Sequence, residues 1–290
     1  MYTSSPFYLQ SLIMLLFKLM KSTIILLSIF LSAMLVVSGC EEPVTIDTDQ
    51  APQQLIIEGL ITNEFKQHTI KISQTADFYD TGNTPRISEA TVTVSDNENN
   101  IYTFIETDPG IYLSAPFAGV VGRTYDLEIL SNGETITASE ELLPVTTIDS
   151  LEQRLFEDLT EENNIDSFGV FMYTIEPQDE ENFYLFKFYR NGFWLNEEGE
   201  DITVTDDVAV GEEIEGIEVP YIYLRGDTAR VEMYSLSRKQ FVFWADVANL
   251  IFSDGGVFAP LPANPRSNLV GNAIGIFQVS SIEAAEIIIE

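Results

Sequence analysis

Cys40, the only cysteine in this 290-residue chain, has the most clearly defined chemistry. Val37, Ser38 and Gly39 precede it, and an apolar run of 14 residues, Ile24 to Val37, leads into it. A thiol at this spot can be alkylated to carry a lipid. The small side chains before it fit the narrow pocket of a peptidase that cleaves ahead of a lipidated cysteine. Signal-peptide cores run about 7–15 apolar residues, whereas a spanning helix needs about 20. Residues 1–39 therefore read as a lipoprotein signal peptide, starting at Met1 or Met20. Residues 40–53 read as a lipidated (palmitate-type), acidic, proline-containing tether. With Cys40 consumed, no disulfide or thiol chemistry is expected.

Other reactive groups are sparse. His68 is the sole histidine and sits in an alternating apolar segment, so a Ser-His-Asp or Cys-His arrangement would rest on it alone. Zinc sites of the Cys/His type lack ligands, and no glycine-rich phosphate loop is present. A pair of carboxylates could hydrolyse a glycoside, but 46 acidic residues make chance pairs inevitable. No enzymatic activity is expected. Calcium is the better chemical possibility. Asp96-x-Glu98-x-Asn100 begins like a calcium loop, yet lacks the sixth-position glycine and has Thr107 at position twelve. No other cofactor is expected.

The net charge is −32, and the signal segment holds two of the 14 basic residues and none of the acidic ones. Nucleic acid is therefore a poor partner, because phosphate binding draws on clustered Lys and Arg.

The elements that must position these groups are β-strands. From residue 54 the hydrophobic period is two, as in Ala90-Thr91-Val92-Thr93-Val94, Tyr125-Asp126-Leu127-Glu128-Ile129 and Thr135 to Ser139. Asp108-Pro109-Gly110 and Asn132-Gly133 mark turns. About seven strands at turn spacing predict a β-sandwich over 54–143. Residues 144–290 predict a second β-rich domain. Its strongest hairpin is Phe183–Arg190, Asn191-Gly192, Phe193-Trp194. Its one helix, near 237–251, opens on a Ser237…Gln240 capping box and presents Phe241, Trp244, Ala248 and Ile251 on one face. Residues 196–218 hold ten acids and no base and read as a solvated loop or loose hairpin. The Gly/Pro/Asn-rich loop at 253–272 is long for a compact domain. Phe258, Pro260, Pro262, Asn264, Asn268 and Phe277 are its candidate partner- or ligand-contacting residues, the alternative being a loop that wraps the sheet.

Two resemblances extend this reading. The segments Ala90-x-Val92-x-Val94, Gly110-Ile111-Tyr112 and Gly122-Arg123-Thr124-Tyr125 resemble the immunoglobulin- or transthyretin-like sandwich of carboxypeptidase regulatory domains, with tyrosines capping a core. The whole mature chain is similar to a Bacteroidota lipoprotein family known as domain of unknown function 4249. The likeness rests on Cys40-Glu41-Glu42-Pro43, Asp149-Ser150-Leu151, Gly226-Asp227-Thr228 and the run from Phe258 to Phe277. That resemblance implies an outer-membrane lipoprotein often encoded beside a TonB-dependent transporter, with no settled activity, and the acidic Glu41-Glu42 after the cysteine resembles the tag that sends Bacteroidota lipoproteins to face the cell exterior. The function expected is that of a non-enzymatic transport accessory that captures or retains a substrate. The alternative is a structural or adhesive surface protein.

Overall fold

A computed structural model describes residues 20–21, 53–76, 84–157, 165–175, 181–196, 202–206, 213–251 and 263–290. The chain divides into two units, Met1–Ala51 and Pro52–Glu290. In the first, only Met20 and Lys21 are described, as exposed helical residues. Cys40 and the tether lie outside the described residues, as do Phe258, Pro260 and Pro262. Among the described residues no helix is long and apolar enough to cross a membrane.

Among the described residues, the second unit shows seventeen strands and one helix of full length. In chain order they are β1 (Leu55–Thr62), β2 (Thr69–Gln74), β3 (Thr91–Asp96), β4 (Ile101–Asp108), β5 (Ile111–Ser114), β6 (Thr124–Ser131) and β7 (Glu134–Glu141). There follow β8 (Ile148–Leu155), β9 (Ser167–Ile175), β10 (Phe183–Arg190), β11 (Phe193–Trp194), β12 (Thr203–Thr205), β13 (Glu213–Glu218), β14 (Tyr223–Leu224) and β15 (Thr228–Leu236). Helix α1 (Arg238–Ile251) precedes β16 (Ala273–Ser280) and β17 (Ile282–Ile288).

The first seven strands form one sheet, in the order β1-β2-β5-β4-β3-β6-β7, with β16 added parallel to β1 at its edge. Strict alternation builds it. In β6 every second residue, Tyr125, Leu127 and Ile129, is buried while its neighbours face out. The sheet folds over a single core from all eight strands, including Ile57, Ile72, Val94, Leu127, Ile136 and Phe277. Bridges Thr137–Val270 and Leu143–Ser280 draw its two ends together, which partly covers edges that would otherwise invite aggregation. Both tyrosines of the resemblance cap this core. Tyr112 accepts from the Ala90 N–H (2.9 Å) and Tyr125 from the Val120 N–H (2.8 Å).

The sheets do not part at 143/144. Strand β16 belongs in sequence to the second half but completes the first sheet in space, with Gly59 opposite Phe277 in register. The Phe277 ring fills the room left by the missing side chain: a Cβ on Gly59 would lie 3.0 Å from it.

The second half is a sandwich of two smaller sheets, β11-β10-β15-β17 with β12, and β13-β9-β14 with β8. Its core is largely aromatic. Phe168, Val170 and Met172 of one sheet meet Tyr184, Phe186, Phe188, Val231 and Met233 of the other. The Asn191-Gly192 and Asn132-Gly133 turns take positive φ at both residues, as their hairpins require. Of the acidic 196–218 stretch, the described parts form β12 and β13.

Helix α1 begins as the sequence predicts. The Ser237 N–H donates to Gln240 Oε1 (3.2 Å) and the Gln240 N–H to Ser237 Oγ (3.3 Å). The helix lies on the outer face of β10 and β15, where Phe241 stacks on Phe183 with centroids 4.8 Å apart. Phe243 is its most buried apolar residue, and Ile251 is exposed. Of the predicted face, Phe241 and Trp244 pack on the β10–β15 cluster while Ile251 is exposed, and Phe243, off that face, is more deeply buried.

Candidate functional site

The proposed calcium residues are neighbours, held for a different purpose. Asn99 turns the chain with a φ of 63°, and the Asp96 carboxylate points inward. It accepts from the backbone N–H groups of Glu98 (3.0 Å) and Asn100 (2.9 Å), the Asn100 amide (2.8 Å), the Tyr102 hydroxyl (3.2 Å) and the Arg123 guanidinium (2.8 Å). Burial would raise its pKa, but the donors of Asn100, Arg123 and Glu98 outweigh burial and bring it to about 2. Both oxygens are occupied, one of them by a cation, and Glu98 is exposed. A metal would have to displace Arg123. Among the described residues no three acidic, histidine or cysteine side chains gather as a metal site. The arrangement locks the β3–β4 turn.

His68 is 1% exposed. Its Nε2 lies 2.9 Å from the Phe117 carbonyl and its Nδ1 has no partner, with the Phe117 ring edge-on at 4.4 Å. Burial lowers its pKa below the usual value. A ring walled in this way cannot reach a substrate.

The described part of the long loop is built into the fold. Phe277, one of the predicted contact residues, is fully buried in the first core. Asn268 brackets it, accepting from the Phe277 N–H (3.0 Å) and donating to the Phe277 carbonyl (2.7 Å). The same amide donates to Glu140 Oε1 (2.9 Å), whose other oxygen accepts from the Ser237 hydroxyl (2.7 Å). Glu140 is 4% exposed. It joins the end of β7, the cap of α1 and the loop before β16. Arg266 holds the loop to the helix through a two-pronged contact with Asp246 (2.8 and 2.7 Å). Of the predicted contact residues that are described, Asn264 is the exposed one, with a 3.5 Å contact to Gln54. Asn268 and Phe277 therefore serve packing, because the strand they introduce must be seated beside β1. The Gly226-Asp227-Thr228 motif is likewise a lock. Asp227 accepts from the Asn191 amide (2.8 Å) and the Leu224 N–H (2.9 Å).

The functional candidate that sequence reasoning missed lies on the outer face of the β10–β15 pair. Alternation puts Lys187, Tyr189, Arg230, Glu232 and Tyr234 on that face, and the β11 register adds Trp194 beside Tyr189. Glu232 is saturated. It accepts from Tyr234 (2.7 Å), Tyr189 (2.9 Å) and Arg230 (3.0 and 3.1 Å). Burial would raise its pKa, yet these donors hold it below the ordinary carboxylate value. The Tyr189 and Tyr234 hydroxyls are pushed up by burial and then by the Glu232 charge. Lys187 faces Glu232 across the strands but turns its ammonium onto two rings, 5.1 Å from the Trp194 centroid and 4.8 Å from that of Tyr234. Burial lowers its pKa, the Glu232 charge opposes that fall, and the charges of Lys66 and Lys71 add to it. One signal was readable in advance: Lys187 is a lone cation inside the otherwise aromatic and apolar run Phe183–Tyr189.

An open hollow of about 790 Å³ runs between Leu155–Glu157 and Glu218–Ile222. It brings two carboxylates, Glu157 and Glu218, to a mainly apolar surface.

Comparison with known proteins gives a family and no activity. The chain matches the family described as "Domain of unknown function (DUF4249)" over residues 41–285. No curated protein matches it. Among solved structures, a two-domain fibronectin type III segment of chicken tenascin is 12% identical, with a TM-score of 0.20, covering 63% of this chain and 90% of that one. A DUF4785 family protein from Legionella pneumophila is 9% identical, with a TM-score of 0.23, covering 67% and 55%.

Proposed function

From the premise that the chain belongs to the DUF4249 family, we propose that it is a non-enzymatic binding protein, anchored by lipid on Cys40 to the outer face of a Bacteroidota outer membrane. There it captures or retains a ligand for a TonB-dependent transporter. The observation that carries the anchor is Val37-Ser38-Gly39-Cys40 at the end of a 14-residue apolar run, with no other cysteine in the chain. The binding role is supported by where the reactive groups lie. The single histidine is enclosed by the first core, and Asp96, Glu232 and Asp246 are each saturated by donors of the fold itself. Charge patterning supports the address, since a strongly acidic surface does not adhere to anionic lipid or nucleic acid.

Membrane fractionation tests the anchor: Cys40→Ser abolishes lipid attachment, leaves the signal segment uncleaved and removes the protein from the outer-membrane fraction. Retention of normal processing and attachment in that variant overturns it. Affinity purification of the tagged protein should recover a TonB-dependent transporter. Repeated failure, with surface attachment lost and nutrient uptake unchanged on gene deletion, favours the structural or adhesive role instead.

A further inference from the structure

Cations are scarce in this chain, and almost all are spoken for. Residues 53–290 hold twelve Lys and Arg, and nine of them form ion pairs within 4 Å. Of the remaining three, Arg86 and Lys239 are exposed to solvent. Lys187 is the third, and it is half-buried. Among the described residues its ammonium has no carboxylate and no hydrogen-bond acceptor. Glu232, the carboxylate opposite in register, turns both oxygens to Tyr189, Tyr234 and Arg230.

Holding a desolvated cation without a counter-charge is costly, and ring faces offset only part of that cost. A fold that needed only packing here would place an apolar residue, as it does at Phe183 and Leu185 on the same face of β10. Lys66 and Lys71 contribute further positive potential at the same point, each already paired, with Glu64 and Glu58. The Glu232 charge acts in the opposite sense but makes no direct contact with the ammonium. Trp194 beside it is 45% exposed, leaving ring surface open to a ligand.

We propose that Lys187, Trp194 and Tyr234 form a binding site for a small carboxylate with a flat, CH-rich or aromatic face. The ligand carboxylate supplies the missing acceptor for the ammonium, and the ligand body stacks on Trp194. A charge-assisted hydrogen bond in a partly dry site is among the stronger polar contacts, and a stacked ring face adds to it. Uronic-acid sugars and aromatic acids share this chemistry. The inference rests on the reading of the chain as a ligand-capturing protein, and it names the class of ligand.

The test titrates the purified full-length protein, in detergent micelles, with D-glucuronate, with benzoate and with D-glucose as the uncharged control. Tryptophan fluorescence is the readout, and Trp194→Leu identifies the reporting ring, since Trp194 and Trp244 are the two tryptophans. At least one acid gives a saturable change and glucose gives none. A response to glucuronate alone assigns a sugar acid, to benzoate alone an aromatic acid, and to both the carboxylate itself. Lys187→Met weakens binding by about tenfold or more, the size expected for loss of one charge-assisted contact. Lys187→Arg keeps most of it. The melting temperature of Lys187→Met stays equal or rises, because an unpaired cation has been removed. Silence towards both acids, an unchanged midpoint in Lys187→Met, or a melting temperature that falls together with binding overturns the site. These results are read on purified protein. Failure here with membrane attachment still dependent on Cys40 removes the ligand class and leaves the anchor standing.

Discussion

The two sandwiches solve the same problem with different materials. The first is mostly aliphatic inside, folds one sheet over itself, and is sealed by a strand from the far end of the chain, β16, which pairs along β1 while bridges Thr137–Val270 and Leu143–Ser280 reach the other edge. The second packs aromatic side chains between two short sheets and buries a second face of one sheet under α1. A sheet with one buried face can leave charges on the other to solvent. A sheet covered on both faces must hold its charges against other side chains, and the first sandwich also buries charge, at Asp96 and Glu140, each met by donors of the fold. The second sandwich saturates Glu232 in the same way, and among the described residues it leaves Lys187 without an acceptor. The comparison teaches that polar function is more readily built where a sheet is covered on both faces but not completely.

The strongest way to break the contrast is to remove the sealing strand from the first sandwich. Gly275 has a φ of 108°, and a Cβ there would sit 2.1 Å from the Ile57 carbonyl oxygen. Gly275→Val should cost more than about 4 kcal/mol, adding steric overlap to backbone strain. Chemical denaturation should show the loss, or the variant should fail to accumulate folded. Next comes Phe277→Ala, which empties the first core beside Gly59 and should cost about 3–5 kcal/mol. A similar loss from Phe186→Ala in the second core would show that the two cores contribute comparably.

Glu140 tests the junction between the two. Glu140→Ala strands the Asn268 and Gln240 amides and the Ser237 hydroxyl, and should cost about 2–3 kcal/mol. The effect should be read as separated unfolding transitions for the two halves.

Two acid-side measurements are smaller. Asp96 has a folded pKa of about 2, below its unfolded value, so its contribution is fully present above about pH 4 and is lost as pH falls towards 2. Asp96→Asn should flatten that part of the stability profile. His68 also has a lowered folded pKa, so the unfolded chain takes up the proton first. Stability should therefore decline as pH drops below about 6.5. His68→Gln should remove this slope; a slope that persists would mean the histidine is not its source.

Much of the first sandwich was legible because its strands have one wet and one dry face. Tyr125, Leu127 and Ile129 announce β6, and Asn132-Gly133 announces the turn after it. The helix start was legible for a local reason, since Ser237 and Gln240 satisfy each other's backbone within four residues. The role of the long loop was not. Asn268 and Phe277 look like contact residues in a polar, proline-rich run, and only pairing with β1 reveals one as a brace and the other as core. Asp96, Glu98 and Asn100 resembled a cation loop for a similar reason. Their spacing is visible in the chain, but Arg123, which takes the place of a cation, is 27 residues away.

The sequence by itself determined the candidate anchor at Cys40, the mainly β class, the position of the helix and the poverty of catalytic groups, all of which follow from local pattern or simple count. Tertiary structure alone decided that β16 closes the first sheet, that Glu140 joins three segments, and that Lys187 lacks an acceptor among the described residues while nine other cations have one. Those facts depend on which residues meet across the sheets, and the energy of a buried charge is set by such neighbours rather than by its place in the chain.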